Sequence, residues 1–269
     1  MLGTGRIVFG IAMLGFGFVG LLFVDFLNSL QPVPAWIPGY SALAVLNGLV
    51  LGAAGAAVLV DRKARPGALA VALLFLAGIV LLHVPSAFID PELLRSPWWI
   101  RTFESVALIG GAVVLAGLRE KPIRDRWIRG GRIAFGLAIP VFGVLHLVYP
   151  RFTADLVPPW YPWPMFWMYL TAAAQIVGGL AIALNVWARL AAILAGAMYG
   201  MFALTLHVPR VWCHLYGPCE FLNSPGGHAV VRREITSLFV AVGMCGAAWL
   251  VAGGIERLGD AEDPGRMHA

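Results

Sequence analysis

Leu82-His83-Val84-Pro85 and Leu206-His207-Val208-Pro209 are one tetrapeptide met twice. The residues before each, 67–82 and 190–206, contain no charged side chain. A polar stretch follows each copy, and then a glutamate, Glu104 or Glu234, opens another apolar run. Uncharged runs of this length approach the roughly 20 residues that a helix needs to cross a bilayer. The pair therefore points to a membrane protein with an internal duplication.

Composition agrees. The chain has 269 residues, 60% hydrophobic and 12% charged, with a mean hydropathy of +0.82. Soluble domains carry about a quarter charged residues. Eight apolar runs stand out: 7–27, 41–60, 67–84, 102–118, 133–149, 164–184, 190–208 and 235–253. Lipid offers no partner to an open backbone, so each run is expected to be a helix. The runs are apolar throughout, without the alternation of a membrane barrel. The first run follows a single basic residue, Arg6, and no small-residue cleavage site follows it. It reads as a retained helix and not as a signal peptide.

The duplication extends well beyond the tetrapeptide. Gly5-Arg6-Ile7 and Phe9-Gly10 return 126 residues later as Gly131-Arg132-Ile133 and Phe135-Gly136. Val33-Pro34-Ala35-Trp36-Ile37-Pro38 returns as Val157-Pro158-Pro159-Trp160-Tyr161-Pro162, and Ala64-Arg65 returns as Ala188-Arg189. Each copy holds four runs, an even number, so both copies enter the membrane the same way up. The expected fold is an all-α integral membrane protein whose eight transmembrane helices form two parallel four-helix repeats. Its parts are a first unit over 1–118, a basic linker over 119–131, a second unit over 132–255 and a tail over 256–269.

Arg95, Arg101, Arg151, Arg210, Arg232 and Arg233 fall on one side of this arrangement, and the other thirteen of the 19 basic residues fall on the opposite side. Positive loops stay in the cytoplasm, which puts both termini there and the loops after the two tetrapeptides outside. The net charge of +5 thus reports orientation. The expected partner is the lipid bilayer, and no nucleic acid is expected.

Polar side chains near the outer helix ends are the candidates for chemistry. In the second unit His146, His207 and Glu234 come from three runs and sit at similar depth. Ionisable groups there face the bundle interior or water. A histidine beside a carboxylate can relay protons, and two histidines with a carboxylate can also hold a metal. Plain interfacial hydrogen bonding is the simpler alternative. His83 and Glu104 are the first-unit counterparts, whereas Gly20 stands where His146 would be and Leu51 where Gln175 would be. The first unit reads as a simplified, structural half. In the loop after 209, Cys213 and Cys219 suggest a disulfide if that side is oxidising. With His214 and His228 they also leave a weaker metal reading open, alongside thiol exchange with a partner. Arg232 and Arg233 suit an anionic headgroup or an anionic substrate, or simply reach the interface. Tyr149 and Trp160 belong to an aromatic belt that could also stack a planar ligand. No phosphate-gripping loop, dinucleotide fingerprint or haem-attachment motif is present.

Phe142-Gly143, Leu145-His146, the Val157–Pro162 loop, the Gln175–Gly179 stretch and the His207-Val208-Pro209 helix together resemble the DoxX-like family of four-helix membrane proteins. The resemblance covers about 131–253. It implies a bacterial-type cytoplasmic membrane and a subunit similar to a quinol oxidase or a thiosulfate–quinone oxidoreductase. Where many members carry a glutamate, this chain has Gln175. The resulting expectation is a membrane subunit of a redox system that binds quinone or a similar amphiphile in an outer-leaflet pocket of the second unit. His207, Glu234 and His146 would handle protons, with Gln175, Tyr149, Trp160 and Arg232 around the ligand. A partner protein would carry electrons. The competing readings are a lipid- or cargo-binding or assembly protein without chemistry, and a small-molecule transporter.

Overall fold

The computed structural model describes residues 1–27, 30–89, 99–118, 123–217 and 228–262. Among the described residues there is no strand. Eight helices are long and apolar enough to cross a membrane: α1 Leu2–Phe23, α2 Tyr40–Leu59, α3 Asp61–Ile89, α4 Ile100–Gly117, α5 Arg124–Val148, α6 Pro164–Leu184, α7 Ala188–Tyr216 and α8 Ala229–Leu258. The protein is an all-α, multi-pass membrane protein. Below, the end of the bundle that holds His83 and His207 is called the histidine end, and the opposite one the basic end.

The same contacts recur in both halves. Arg6 donates to the carbonyls of Val58 and Leu59, and Arg132 donates to those of Ile182 and Ala183 at 2.6 and 3.1 Å. Each arginine thereby satisfies carbonyls that the end of α2 or α6 leaves without partners. Glycine lets α1 approach α2 and α5 approach α6. A Cβ on Gly17 would lie 2.5 Å from the Gly52 nitrogen, and one on Gly143 would lie 2.5 Å from the Ala172 carbonyl. Without a hydrophobic drive between helices in lipid, such close backbone packing is what holds them together.

Each fourth helix packs mainly on the first helix of the other half, and α8 touches the first helix of its own half, α5, only lightly. α8 lies against α1, and α4 lies against α5. A Cβ on Gly5 would meet the Leu250 nitrogen at 2.8 Å and the Gly246 oxygen at 3.1 Å, while one on Gly131 would meet the Val114 nitrogen at 3.0 Å and the Gly110 oxygen at 2.4 Å. Gly246 and Gly110 are thus equivalent, 136 residues apart. So are Ala247 and Gly111, and these two touch each other: a Cβ on Gly111 would lie 2.5 Å from the Ala247 side chain. Two equivalent positions in contact mark a pseudo-two-fold axis between α4 and α8.

This register moves one expected counterpart. Glu104 pairs by sequence order with Glu234, but by packing it stands level with Val240. That is six residues, or about 9 Å, deeper along the helix than Glu234. The ends of the third and seventh spans also differ from expectation. Both helices run past their histidine, through Pro85 to Ile89 and through Pro209 to Tyr216. Proline removes one backbone donor and pushes on the preceding turn. The chain absorbs this by widening Ile79–His83 and Ala203–His207 into π-helical turns.

Candidate functional site

In the second half α5, α6 and α7, closed by α4 and α8, surround a cavity of about 910 Å³. Most of its wall is apolar. Val177, Leu194 and Met201 line it and are also exposed on the outer face of the bundle, so it opens sideways between α6 and α7 toward lipid. At the histidine end Tyr161 and Trp167 close it, held edge to face with ring centroids 5.3 Å apart.

Its polar groups lie on the inner wall. Gln175 on α6 and Tyr199 on α7 are 2% and 5% exposed. The Gln175 Oε1, the Tyr199 hydroxyl and the His207 Nδ1 are buried and have no hydrogen-bond partner among the described residues. An unpaired polar group costs about 1–3 kcal/mol when buried, and three on one wall are too costly to be incidental packing. The π-helical turn that ends on His207 places the imidazole on this wall, a local geometry often found at functional sites. His146 on α5 lines the cavity too, with its Nδ1 3.5 Å from the Thr171 hydroxyl. Glu104 also reaches the cavity, from α4 of the other half, and Thr153, Thr171, Thr205 and Ser237 add hydroxyls to its lining.

Of the expected set, the cavity gathers His207, His146 and Gln175. Glu234 does not line it. Its carboxylate accepts two bonds from Arg210, Nε to Oε2 at 3.1 Å and Nη2 to Oε1 at 3.3 Å. The α7 guanidinium directly after the tetrapeptide thus takes the acid expected for His207. Arg232 turns away to the first half and pairs with Asp25, whose other oxygen accepts the Tyr40 hydroxyl. Tyr149 is outside the cavity, and Trp160 lines a smaller cleft beside Asp155 and Arg210. His214 sits half-buried beyond the cavity on the last turns of α7. Among the described residues no three His, Cys, Asp or Glu side chains gather as metal ligands. Cys213 is disulfide-bonded, and Cys245 is a buried free thiol. Cys219, its expected partner, lies outside the described residues, and so does the side chain of His228.

The first-half histidine is fully occupied. His83 Nε2 donates to the Leu30 carbonyl at 3.0 Å, and the Thr102 hydroxyl lies 2.9 Å from Nδ1. A carbonyl only accepts, so the proton sits on Nε2 and Thr102 donates to Nδ1. Two site residues, Glu104 and Tyr199, escaped the sequence reading in these roles. Tyr199 had a visible signal: the 124-residue offset that pairs Ala64 with Ala188 pairs it with Phe75.

A domain family of unknown function (DUF8561) matches residues 135–222. The matched stretch holds His146, Gln175, Tyr199 and His207 and leaves out α4, which supplies Glu104. No match was found among curated proteins or among solved structures.

Proposed function

We propose that the protein binds a small amphiphile of the quinone class in this cavity, as the membrane subunit of a redox system. One observation carries the reading: three buried polar atoms, on Gln175, Tyr199 and His207, have no partner among the described residues and stand on the wall of an apolar groove open to lipid. An amphiphile with a hydrogen-bonding head and a hydrocarbon tail answers both halves of that description. Gln175 and Tyr199 hold the head group. His207 and His146 exchange protons with it, imidazole being the side chain that titrates nearest neutrality. Electrons come from a partner protein. The DoxX-like resemblance leads to the same chemistry. Thirteen of the 19 basic residues at one end orient the chain with both termini in the cytoplasm of a bacterial-type cell, so the polar wall lies in the outer half of the membrane.

The test is titration of the purified protein with a short-tailed quinone, followed by quenching of tryptophan fluorescence, since Trp167 and Trp187 line the cavity. Saturable quenching, weakened about tenfold by Gln175→Leu, is expected for one lost hydrogen bond. A linear, unsaturable response together with no quinone in the solvent extract rejects the reading. The sideways opening favours a second reading, in which a lipid is bound without redox chemistry. Co-purified lipid at one equivalent that Gln175→Leu releases would then replace the quinone.

A further inference from the structure

Among the described residues Glu104 is the one acidic side chain that lines the cavity, and no Lys or Arg lines it. Among the described residues its carboxyl group has no hydrogen bond and no ion pair. The basic residues closest in sequence or depth are engaged elsewhere. Arg210 holds Glu234 and Arg232 holds Asp25. Arg101 lies one turn nearer the helix start on α4 and acts on Glu104 only at longer range. The Gln175 Oε1 adds a second unsatisfied acceptor, on a side chain 2% exposed. Aromatic rings complete the lining, among them Phe142, Trp167, Tyr199 and Phe202.

A carboxyl group in an apolar, lipid-side cavity must be neutralised by a proton or by a cation. Here no basic side chain among the described residues lines the cavity to do so, and Arg101 acts only at longer range. Aromatic faces attract positive charge through the ring quadrupole, the more so where water is excluded. An anionic head group would meet Glu104 with no basic residue to offset it. We propose that Glu104 makes the cavity a binding site for lipophilic cations, amphiphiles with an ammonium or other onium head on an apolar body. This rests on the cavity being a ligand site, and does not require the ligand of the redox reading to be a quinone.

Tetraphenylphosphonium and tetraphenylborate have one shape and opposite charge, which makes them the probes. Equilibrium binding of each to the full chain in nanodiscs of neutral lipid is compared for the wild type and Glu104→Gln. The wild type should bind the cation at least tenfold tighter than the anion, and the variant should lose that tenfold preference. An equal affinity for both ions, or a preference that survives Glu104→Gln, overturns the proposal. If the variant does not fold, labelling of the wild type decides. A lipophilic carbodiimide should modify Glu104, and tetraphenylphosphonium should block the labelling while tetraphenylborate does not. Labelling that neither ion alters also overturns it. Quinone binding measured on the same samples is separate: its absence beside cation-selective binding removes the redox reading alone.

Discussion

The two halves of this bundle share a backbone and differ in what fills it. In the first, Leu51 and Phe75 occupy the positions of Gln175 and Tyr199, and both are fully buried. Phe75 packs edge to face on Phe16 at 6.1 Å, and Phe239 from α8 packs on the other side of Phe16 at 6.3 Å. Gln31 and Asn47 pair amide to amide at 3.0 and 2.8 Å, and His83 is bonded through both ring nitrogens. In the second half the amide, the phenol and one imidazole nitrogen face open space. A duplicated scaffold has thus kept one copy as a satisfied core and left polar valences open in the other. The difference lies chiefly in side chains, because the main helix pairings recur in both copies.

The helix contacts give the strongest test of that sameness. Gly110→Leu and Gly246→Leu each drive a side chain into the facing backbone, so each should destabilise by at least about 3 kcal/mol. Thermal unfolding in detergent should show equal losses, and a difference of more than about 1 kcal/mol would break the pseudo-symmetry. Next come the histidines. His83→Ala removes the ring from its two partners and leaves the Leu30 carbonyl buried alone, at about 2–4 kcal/mol. His207→Ala should cost under about 1 kcal/mol of stability and weaken quinone binding about tenfold instead. Equal stability losses would mean that the second histidine is structural as well. Converting the second cavity to the first with Gln175→Leu and Tyr199→Phe should lower quinone affinity about 100-fold and raise the melting temperature, since two orphaned groups disappear. A variant that binds as before would show that these groups do not hold the ligand. The converse change, Leu51→Gln, should cost about 2 kcal/mol by burying an amide in the apolar core of the first half. Unchanged melting would reveal room in the first half that the packing denies.

The fold was open to reading because lipid imposes it: eight apolar runs admit little besides eight helices. The candidate site was only partly open. His146, Gln175 and His207 carried their own signal, as polar groups inside apolar runs. Glu234 and Arg232 were drawn to the site by depth alone, and long-range ion pairs with Arg210 and Asp25 took them elsewhere. Glu104 was matched to Glu234 because both open an apolar run. Its actual level is set by Gly110, whose equivalence to Gly246 shows only when α5 and α1 are packed against them. Tyr199 differs from Phe75 by one oxygen in an otherwise apolar helix, a signal that needs the repeat alignment to be seen at that position.

The exchange of fourth helices between halves constrains how the protein reaches the membrane. α1 leaves the ribosome first, yet one of the two helices it is shaped to meet is α8, the last of the eight. The glycine face of α1 around Gly5 therefore waits in lipid while six other helices are threaded in. α4, by contrast, finds α5 at once. Assembly must finish where the chain began, and a polypeptide cut between its two copies yields fragments that each lack a seam only the other can close.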